Sequence, residues 1–599
     1  MALIGGIMKH LGKLLLASMM ALTLIACGTS GSAGTSAPEG KFPAGTYEGE
    51  AAGFGGDKTP IKVKVTLSSD KIESIEFTAD GETPTIGGEA LPKLVDAVLE
   101  SQSTNIDVVS GATITSEGFI QAVNAALEAA GVDPAALQSV AKEEAAPENV
   151  EKTADVVIAG AGGAGMTAAI TAAQNGKSVI ILEKAAVVGG NSSYATGGMN
   201  AAETHYQKEE GIEDSVQLFY DDTMKGGHDL NNPELVQTLA ENSSAAIDWL
   251  DSIDAPLANV GQAGGASVKR QHRPVDADGK ILSVGTYLVE HLHNKVDELG
   301  IEIITDSKVD EVLMDGNKAV GLHATTSKGS EVVVKANSVI ITTGGFGSNP
   351  DLIVKYRPDL KGYVSTNAPS ITGDAIAFLE AIKADFVDLD QIQIHPTVVQ
   401  KDGSLITESL RGDGAILLNS NGQRFCNETL TRDVVSANII EQDGGSAWLI
   451  VDETMREGST VIQKYIDKGY MIPCDSVKAL ADLIGCDEAN VQESIDKWAA
   501  AVAAGADAEF ERGNFDAMLT DLSKAPYYAV QISPGIHHCM GGVKINASTQ
   551  VIGTDGNPIE NLYAAGVVTG GVHDGNRLGG NAVSDFVVFG RIAGEQASK

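Results

Sequence analysis

Cysteine, aromatic residues and positive charge are all scarce in this 599-residue chain, and each scarcity excludes a class of protein. The five cysteines show no CxxC or CxxCH spacing, so we expect no iron–sulfur cluster, zinc ribbon, c-type haem or other metal site. The 42 basic residues are outnumbered by 80 acidic ones, and the resulting charge of −38 argues against a nucleic-acid partner. Aromatic residues make up only 5% of the chain, whereas its 68 glycines suit a backbone that closely approaches a ligand.

The first 27 residues have the pattern of an export signal. Basic residues precede an apolar stretch over residues 14–26, which is too short to cross a bilayer as a permanent helix. The tetrapeptide ending at Cys27 resembles the lipobox of bacterial lipoproteins, which implies cleavage and lipidation at Cys27. An ordinary secretory peptide, or a buried helix with an incidental cysteine, is the alternative.

Residues 28–40 are rich in Gly, Ser, Thr and Ala, a composition that predicts a flexible tether. We therefore expect a lipid-anchored protein on the extracytoplasmic face of a cell membrane. The sequence leaves open whether that face belongs to a Gram-positive surface or a periplasm.

Residues 41–131 predict a small α+β domain. Alternating apolar residues over 61–67 indicate a half-buried strand, and helical patterns follow over 91–99 and from about 117 to 130. The turn Ser110-Gly111-Ala112-Thr113 precedes the second helix, whose start offers free N–H groups to a phosphate.

This turn resembles the attachment motif of the FMN-binding domains found in sodium-pumping and related redox complexes. The resemblance implies that a flavin transferase joins FMN covalently to Thr113, with Thr115 as the alternative acceptor. A Ser/Thr turn that merely caps a helix is the structural alternative.

A linker is predicted over residues 132–152, and a dinucleotide-binding fold begins after it. A buried strand over 154–159 leads into a GxGxxG turn, a helix and a second strand that ends at Glu183. This order predicts a dinucleotide with its pyrophosphate at the start of the helix and its ribose hydroxyls at Glu183. It does not decide between FAD and NAD. The predicted contacts in the turn are Gly160, Gly162, Gly163, Ala164 and Gly165.

The glycine-rich segments 189–192, 195–202 and 341–346 resemble those of the fumarate reductase/succinate dehydrogenase flavoprotein family, and most closely those of its soluble flavocytochrome c and urocanate reductase members. The likeness extends over nearly all of residues 153–599 and implies FAD. The FAD is expected to be non-covalent, because Asn191 and the following serines stand where membrane-bound relatives carry a flavin-linked His. The further cofactor contacts that it implies are Asn191, Thr196, Gly197, Gly198, Gly345, Asp374, His538 and Asn581.

The same resemblance assigns the chemistry, which is reduction of a C=C bond beside a carboxylate. Such a reduction needs cations to hold the carboxylate and an acid to protonate carbon. Arg432 is implied as the proton donor, recharged through Glu408 and Arg411. One substrate carboxylate is assigned to His537 and Arg577, and the second to His395 and Thr407.

Two positions depart from the family pattern. Leu405 replaces a Met, a nearly volume-conserving change expected to reshape only the pocket wall. Val567 replaces an acid, which is expected to affect flavin potential or proton supply.

The predicted fold class is α/β: an FAD-binding Rossmann-like domain with an inserted capping domain, plus the small FMN-binding domain. The FAD domain is expected in two parts, residues 153–390 and 538–599, with the cap over residues 391–537 closing on substrate.

The resulting hypothesis is an anchored reductase in which electrons pass from a membrane quinol or flavin donor to FMN, then to FAD, and as hydride to fumarate. Another unsaturated acid, such as urocanate or a substituted acrylate, is the alternative substrate. A non-catalytic flavin electron carrier or dicarboxylate sensor is the alternative class. A ketosteroid dehydrogenase is disfavoured, because it would be expected to use Tyr residues and to lack the two carboxylate sites.

Overall fold

The computed structural model describes residues 42–84, 86–138, 148–513, 515 and 518–599. The predicted signal peptide, the lipidation site at Cys27 and the tether lie outside the described residues, as do residues 139–147 of the predicted linker. Among the residues that are described, no helix has both the length and the apolar character needed to cross a bilayer.

The N-terminal domain packs an antiparallel sheet of three strands against two longer helices. The predicted alternation is confirmed, because Ile61, Val63 and Val65 are buried in one core with Phe119 and Leu127 of the second helix. The elements, with sheet order β1-β2-β3, are β1 (Gly45–Gly53), β2 (Gly56–Leu67), β3 (Ile72–Thr78), α1 (Gly87–Ser101), α2 (Thr113–Ala129) and α3 (Pro134–Gln138).

Helix α2 begins at Thr113, earlier than the predicted start near Glu117. The β-branched residues of its first turn weaken the helical pattern in the sequence. The turn is nevertheless held, because the Ser116 N–H and hydroxyl donate to the Ala112 carbonyl at 2.9 and 2.8 Å. Thr113 is therefore the first residue of the helix.

A largely parallel sheet forms the centre of the large domain, and it draws strands from both ends of that domain. Strand β21, near the C-terminus, lies parallel to β12, and β12 lies parallel to β4. The strands, in the order β10-β11-β21-β12-β4-β5-β9 with β20 beside β21, are β4 (Val150–Ala159), β5 (Val179–Leu182), β9 (Glu302–Ile304), β10 (Ser307–Asp315), β11 (Lys318–Thr326), β12 (Glu331–Ile341), β20 (Gln550–Ile552) and β21 (Pro558–Ala564).

Both ends of the predicted linker carry secondary structure. Helix α3 lies within its first part, and β4 begins at Val150 rather than at Ala154. The extra residues of β4 pair with the start of β12, from Val332 opposite Val150 onward, so they extend the sheet.

Helices and short strands surround the sheet, and α4 packs against α8 and α17. The helices are α4 (Gly163–Gln174), α5 (His205–Glu209), α6 (Val216–Gly226), α7 (Pro233–Ser252), α8 (Val284–Glu298), α9 (Pro350–Tyr356), α10 (Asp374–Ala381) and α17 (Asn581–Ala597). The short strands are β6 (Met199–Asn200), β7 (Asn259–Gly261), β8 (Gln271–Arg273), β13 (Phe386–Val387), β19 (Gly542–Lys544) and β22 (Thr569–Gly570).

A second sheet, ordered β14-β18-β16-β15 with β17 beside β18, builds the cap between two hydrophobic cores. Its strands are β14 (Ile392–Val398), β15 (Ile416–Leu418), β16 (Ala447–Asp452), β17 (Ile472–Cys474) and β18 (Tyr527–Cys539). Its helices are α11 (Ser409–Gly412), α12 (Arg432–Ile440), α13 (Glu453–Gly458), α14 (Thr460–Asp467), α15 (Val477–Ile484) and α16 (Glu488–Ala504). Antiparallel pairing of β14 with β18 sets Gln393 opposite His538 and His395 opposite Gly535, so one strand pair carries several predicted site residues.

The N-terminal domain contacts both other parts of the chain. The Ala186 N–H donates to the Ser110 carbonyl at 3.2 Å, which sets the turn before Thr113 against the loop that follows β5. At the tip of the β1–β2 hairpin, Lys58 forms an ion pair with Asp467 at the end of α14. The predicted FMN attachment turn therefore lies beside a loop of the nucleotide-binding half.

A cluster of ionised side chains is buried in the cap, where each charge depends on its partners. The Glu428 carboxylate lies 2.9 Å from both Arg424 Nη2 and Arg512 Nη1, and Arg424 also pairs with Asp507. We expect Glu428→Gln to lower the free energy of unfolding by about 3–5 kcal/mol, because it leaves two buried guanidinium groups with one carboxylate. Chemical denaturation of the holoprotein measures this loss.

The matched control for this prediction is Glu493→Gln, which removes an exposed carboxylate paired with Lys497. Solvent screens that pair, so the denaturation midpoint should stay in place. Equal shifts for the two variants would contradict the role given to Glu428.

Candidate active site

A cleft of about 830 Å³ opens beside the turn that joins β4 to α4, and its shape depends on the glycines of that turn. A Cβ at Gly160 would lie 2.6 Å from the Thr342 carbonyl oxygen, and one at Gly165 would lie 1.9 Å from the Gly160 carbonyl oxygen. A Cβ at Gly162 would meet no protein atom closer than 3.7 Å, so this side of the turn is free for a ligand. Such a turn at a helix N-terminus suits a pyrophosphate.

Glu183 lines the cleft at the end of β5. Its carboxylate accepts hydrogen bonds from the Ala161 and Ala185 N–H groups, both at 2.7 Å. Burial raises the pKa of this carboxyl, while the backbone donors favour its ionised form. The acid is thus fixed at the edge of the cleft where ribose hydroxyls were predicted.

The structure divides the predicted cofactor contacts into three sets. Those that line the cleft are Gly160, Gly162, Gly163, Ala164, Glu183, Asn191 and Asp374. Gly345 lines a smaller adjoining cavity with Val567. The structure does not place the rest on the cleft wall, and these are Gly165, Thr196, Gly197, Gly198, His538 and Asn581.

Two lysines that the sequence reasoning missed sit at the mouth of the cleft. Lys184 and Lys308 line it and bind the Asp374 carboxylate, with Nζ to oxygen distances of 2.6 and 3.1 Å. Burial opposes ionisation of Asp374, but the lysines lower its pKa below the ordinary value. The position of Lys184, directly after the acid that ends β5, is the signal that could have indicated it.

The residues of this cleft fit FAD. Within the described part of the chain, the buried Thr343 Oγ1 lines the cleft without a hydrogen-bond partner. A buried hydroxyl without a partner is costly, which indicates that a bound group completes the site. The open glycine turn, the fixed acid and the lysines match the pyrophosphate and ribose parts of a dinucleotide.

Arg432 begins helix α12 and is held by two side chains. Its Nε and Nη2 donate to Glu408 Oε2 at 2.8 and 2.5 Å, and its Nη1 donates to Gln393 Oε1 at 2.9 Å. Gln393 in turn donates to the Arg577 carbonyl at 2.8 Å. Gln393 was not predicted, yet it ties the cap arginine to the C-terminal segment that carries the second arginine.

Glu408 stands between two arginines, as the proton-supply hypothesis requires. Arg411 Nη2 lies 3.3 Å from Glu408 Oε1, on the opposite side from Arg432. Burial alone would raise the pKa of Glu408, but the two guanidinium groups lower it below its ordinary value. The carboxylate is therefore ionised, so it must take up a proton, as it could from Arg411, before it can return one to Arg432.

His395 is a neutral hydrogen-bond donor. The Thr397 N–H donates to His395 Nδ1 at 3.2 Å, so Nδ1 carries the lone pair and Nε2 carries the proton. Burial, reinforced by Arg432, lowers the pKa of the imidazole well below its usual value. Among the described residues the buried His395 Nε2 has no partner, so it is free to donate to a substrate.

His537 and Arg577 form the other end of the predicted pocket. The His537 ring lies 4.9 Å from that of His395, and its Nδ1 lies 2.7 Å from the Thr366 hydroxyl. Arg577 donates to the Leu578 carbonyl, while its buried Nε finds no partner in the described chain. Burial and the nearby Arg432 lower the pKa of Arg577, and an anion bound beside it would oppose both effects.

Thr407 is buried and positioned through its backbone. Its N–H donates to the Tyr465 phenol at 3.0 Å, and its hydroxyl lies 3.1 Å from that of Ser409. Nearby Leu405 is half-buried and bridges to Val398, whereas Val567 lines the FAD cleft. The two departures from the family pattern thus lie in different parts of the site, Leu405 close to Thr407 in sequence and Val567 at the FAD cleft.

The two candidate FMN acceptors differ sharply in accessibility. Thr113 is exposed at the start of α2, whereas Thr115 is 3% exposed and donates to the Glu82 carboxylate at 2.5 Å. A modifying enzyme needs a free hydroxyl, so the geometry favours Thr113. The 17-residue helix has no side-chain cap at its start, which leaves N–H groups available to a phosphate.

Two family models match the chain. One described as FAD binding domain matches residues 155–583, and one described as FMN-binding domain matches residues 53–128.

Several characterised proteins are similar in sequence. The chain is 43% identical to fumarate reductase (cytochrome) of Shewanella frigidimarina over 75% of its length and 77% of that protein. It is 40% identical to NADH:fumarate oxidoreductase of Klebsiella pneumoniae over 91% of its length, but spans only 57% of that protein. It is 33% identical to urocanate reductase of Eggerthella lenta over 96% of both chains.

Among solved structures, the chain is similar to the open conformation of a flavocytochrome c3 fumarate reductase. The TM-score is 0.61 at 40% identity, over 75% of this chain and 78% of the other.

Proposed function

This chain belongs to the fumarate reductase family of FAD-binding flavoproteins and carries an FMN-binding domain, and from that premise we propose that it reduces fumarate to succinate. The proposal covers the whole protein's activity, electron donor and location.

The observation that carries the proposal is a buried cluster of polar side chains whose unpaired groups are hydrogen-bond donors. His395 Nε2 and Arg577 Nε, both without partners among the described residues, each call for an acceptor. A dicarboxylate supplies acceptors at both ends. One carboxylate would meet Arg577 and His537, and the other would meet His395 and Thr407.

The reaction breaks the π bond of the substrate and forms two C–H bonds, one from a hydride and one from a proton. FAD bound in the cleft, once reduced by the electron donor, would supply the hydride. Arg577 and His537 hold the adjacent carboxylate and stabilise the negative charge that develops on it.

Arg432 donates the proton to the second carbon. A guanidinium is normally too weak an acid, but here the acceptor is a strongly basic carbanion. Glu408, 2.8 Å from Arg432 Nε, returns a proton to the arginine, and Arg411 lies on its far side to complete the supply.

We also propose the route by which electrons enter. A flavin transferase would attach FMN to Thr113, a membrane quinol or flavin donor would reduce it, and lipidated Cys27 would hold the protein at the extracytoplasmic face of the membrane. The exposed Thr113 and the contact between Ser110 and Ala186 support entry through the N-terminal domain.

Anaerobic oxidation of reduced methyl viologen by the holoprotein tests the activity. We expect fast turnover with fumarate and little with urocanate, acrylate, crotonate or cinnamate, because only fumarate offers a carboxylate to both ends of the pocket. Each acid is compared at equal concentration by kcat/KM.

Two other outcomes would contradict the proposal, one in part and one as a whole. Preference for urocanate or a substituted acrylate would keep the proton-supply chain and overturn the roles of His395 and Thr407. Reducible flavin without turnover on any acid would instead favour an electron carrier or a dicarboxylate sensor.

A further inference from the structure

Both histidines of the pocket need a defined protonation pattern to bind a carboxylate. A neutral imidazole donates through one ring nitrogen and accepts through the other. If the accepting nitrogen faced a carboxylate, the two lone pairs would repel each other. The partner of the far nitrogen therefore decides whether the ring binds substrate.

For His395 the partner is a backbone group, the Thr397 N–H, which can only donate. The Thr397 hydroxyl also lies 3.2 Å from His395 Nδ1, but its proton goes to the Ile406 carbonyl at 2.7 Å, so the Thr397 N–H is the group that donates to the ring. The tautomer of His395 is thus fixed by the main chain.

For His537 the partner is a side chain, the hydroxyl of Thr366. The distance from Thr366 Oγ1 to His537 Nδ1 is 2.7 Å, a length more typical of a hydroxyl donor than of a ring N–H donor. The other nearby acceptor, the Ile536 carbonyl, is 3.2 Å from the hydroxyl and already receives the Thr366 N–H at 2.9 Å. Because a carbonyl oxygen can accept two hydrogen bonds, the shorter contact, the one to Nδ1, is the observation that favours donation from the hydroxyl to the ring.

The segment that carries Thr366 is itself fixed to the strand that carries His537. The Ile536 N–H donates to the Val364 carbonyl at 2.8 Å, and Asn367 Nδ2 donates to the His537 carbonyl at 3.2 Å. The Ser365 hydroxyl donates to the Gly347 carbonyl at 2.8 Å. Hydrogen bonds of the residues before and after Thr366 thus hold its hydroxyl against the His537 ring.

We infer that Thr366 is a positioning residue that holds His537 as the neutral tautomer with its proton on Nε2, directed to the substrate carboxylate beside Arg577. The inference rests on the proposed function, and it adds a side chain that supports the substrate contact without touching the substrate. Burial together with Arg432 and Arg577 keeps the pKa of His537 low, so the ring stays neutral and the tautomer matters.

The test compares Thr366→Val, which removes the hydroxyl at nearly constant volume, with Thr366→Ser, which keeps it. We expect Val to raise KM for fumarate about tenfold through the lost hydrogen bond, with kcat changed less than about threefold, and Ser to restore KM. KM for acrylate should rise by the same factor, because both acids share the carboxylate at this end. Thr238→Val, on the exposed face of α7, is the control and should change neither constant.

A spectroscopic measurement is independent of turnover. In ¹⁵N-histidine-labelled holoprotein, with His537→Asn to assign the signal, Nδ1 of His537 should be unprotonated and Nε2 protonated. Thr366→Val should move both resonances toward averaged values, and Thr366→Ser should not. A protonated Nδ1 in the unaltered protein, an unchanged KM in the Val variant or no rescue by Ser would each overturn the inference.

The two measurements separate this inference from the proposed function. If the unaltered protein turned over no acid, the proposed function would fail while the resonances still reported the tautomer. If fumarate turned over and the Nδ1 resonance were that of a protonated nitrogen, only the role of Thr366 would fail.

Discussion

Replacing Arg432 with alanine is expected to reduce turnover of fumarate with reduced viologen by about 10³-fold or more, within the upper range for loss of a general acid. The variant should still bind FAD, because the cleft wall belongs to the large domain and Arg432 to the cap. Arg432→Lys should be nearly as inactive. Lysine keeps the charge but cannot bond Glu408 and Gln393 together as the guanidinium does.

The control is Arg456→Ala, a cap arginine whose guanidinium pairs with Glu453. It should keep kcat within about twofold, because its half-buried guanidinium bonds Glu453 and Gln463 and none of the groups assigned to proton transfer. Flavin content and kcat are measured on all three variants. More than a tenth of normal turnover in Arg432→Ala would mean that another group protonates the substrate.

The nucleotide-binding part of the fold was predictable because its signals are local. The turn from Gly160 to Gly165 lies between a buried strand and a helix, and its first and last glycines are required by contacts within a few residues or at the end of the neighbouring strand. Glu183 ends the next strand, where the cleft opens. Short-range geometry of this kind leaves a readable pattern in the sequence.

The interior contacts of the candidate site left no such pattern. Thr366 meets His537 across 171 positions of sequence, and Gln393 meets the Arg577 carbonyl across 184. Nothing near Thr366 or Gln393 distinguishes them from ordinary polar residues. Their roles depend on the pairing of β14 with β18 and on the position of the C-terminal segment that carries Arg577. Only the folded chain shows these two features.

The start of α2 was misplaced for a related reason. Intrinsic propensity disfavours β-branched residues in a helix, so the sequence predicts a turn for the run after Ala112. Side-chain bonds of Thr115 and Ser116 hold that run in the first helical turn. This difference moves Thr113 from a loop to a helix N-terminus, where its hydroxyl is exposed.

Replacing Thr113 with alanine is expected to abolish covalent FMN completely while leaving the FAD content unchanged. Thr115→Ala is the matched control, two residues away on the same helix turn. Its hydroxyl is buried against Glu82, so it should be inaccessible to the flavin transferase, and the variant should keep its FMN. Intact-protein mass and flavin fluorescence after denaturation, on protein produced together with a flavin transferase, measure both.

The kinetics of Thr113→Ala distinguish an FMN that passes electrons to FAD from an FMN with only a structural role. If electrons enter through FMN, Thr113→Ala should lose reduction by a membrane quinol while turnover with reduced methyl viologen remains, since a small donor can reach FAD directly. Equal losses with both donors would contradict the relay. The Ser110 turn rests against Ala186, three residues beyond the Glu183 that lines the FAD cleft, so the attachment site and the cleft are joined by a short, continuous stretch of protein. That adjacency is the physical reason to expect the donor-dependent result.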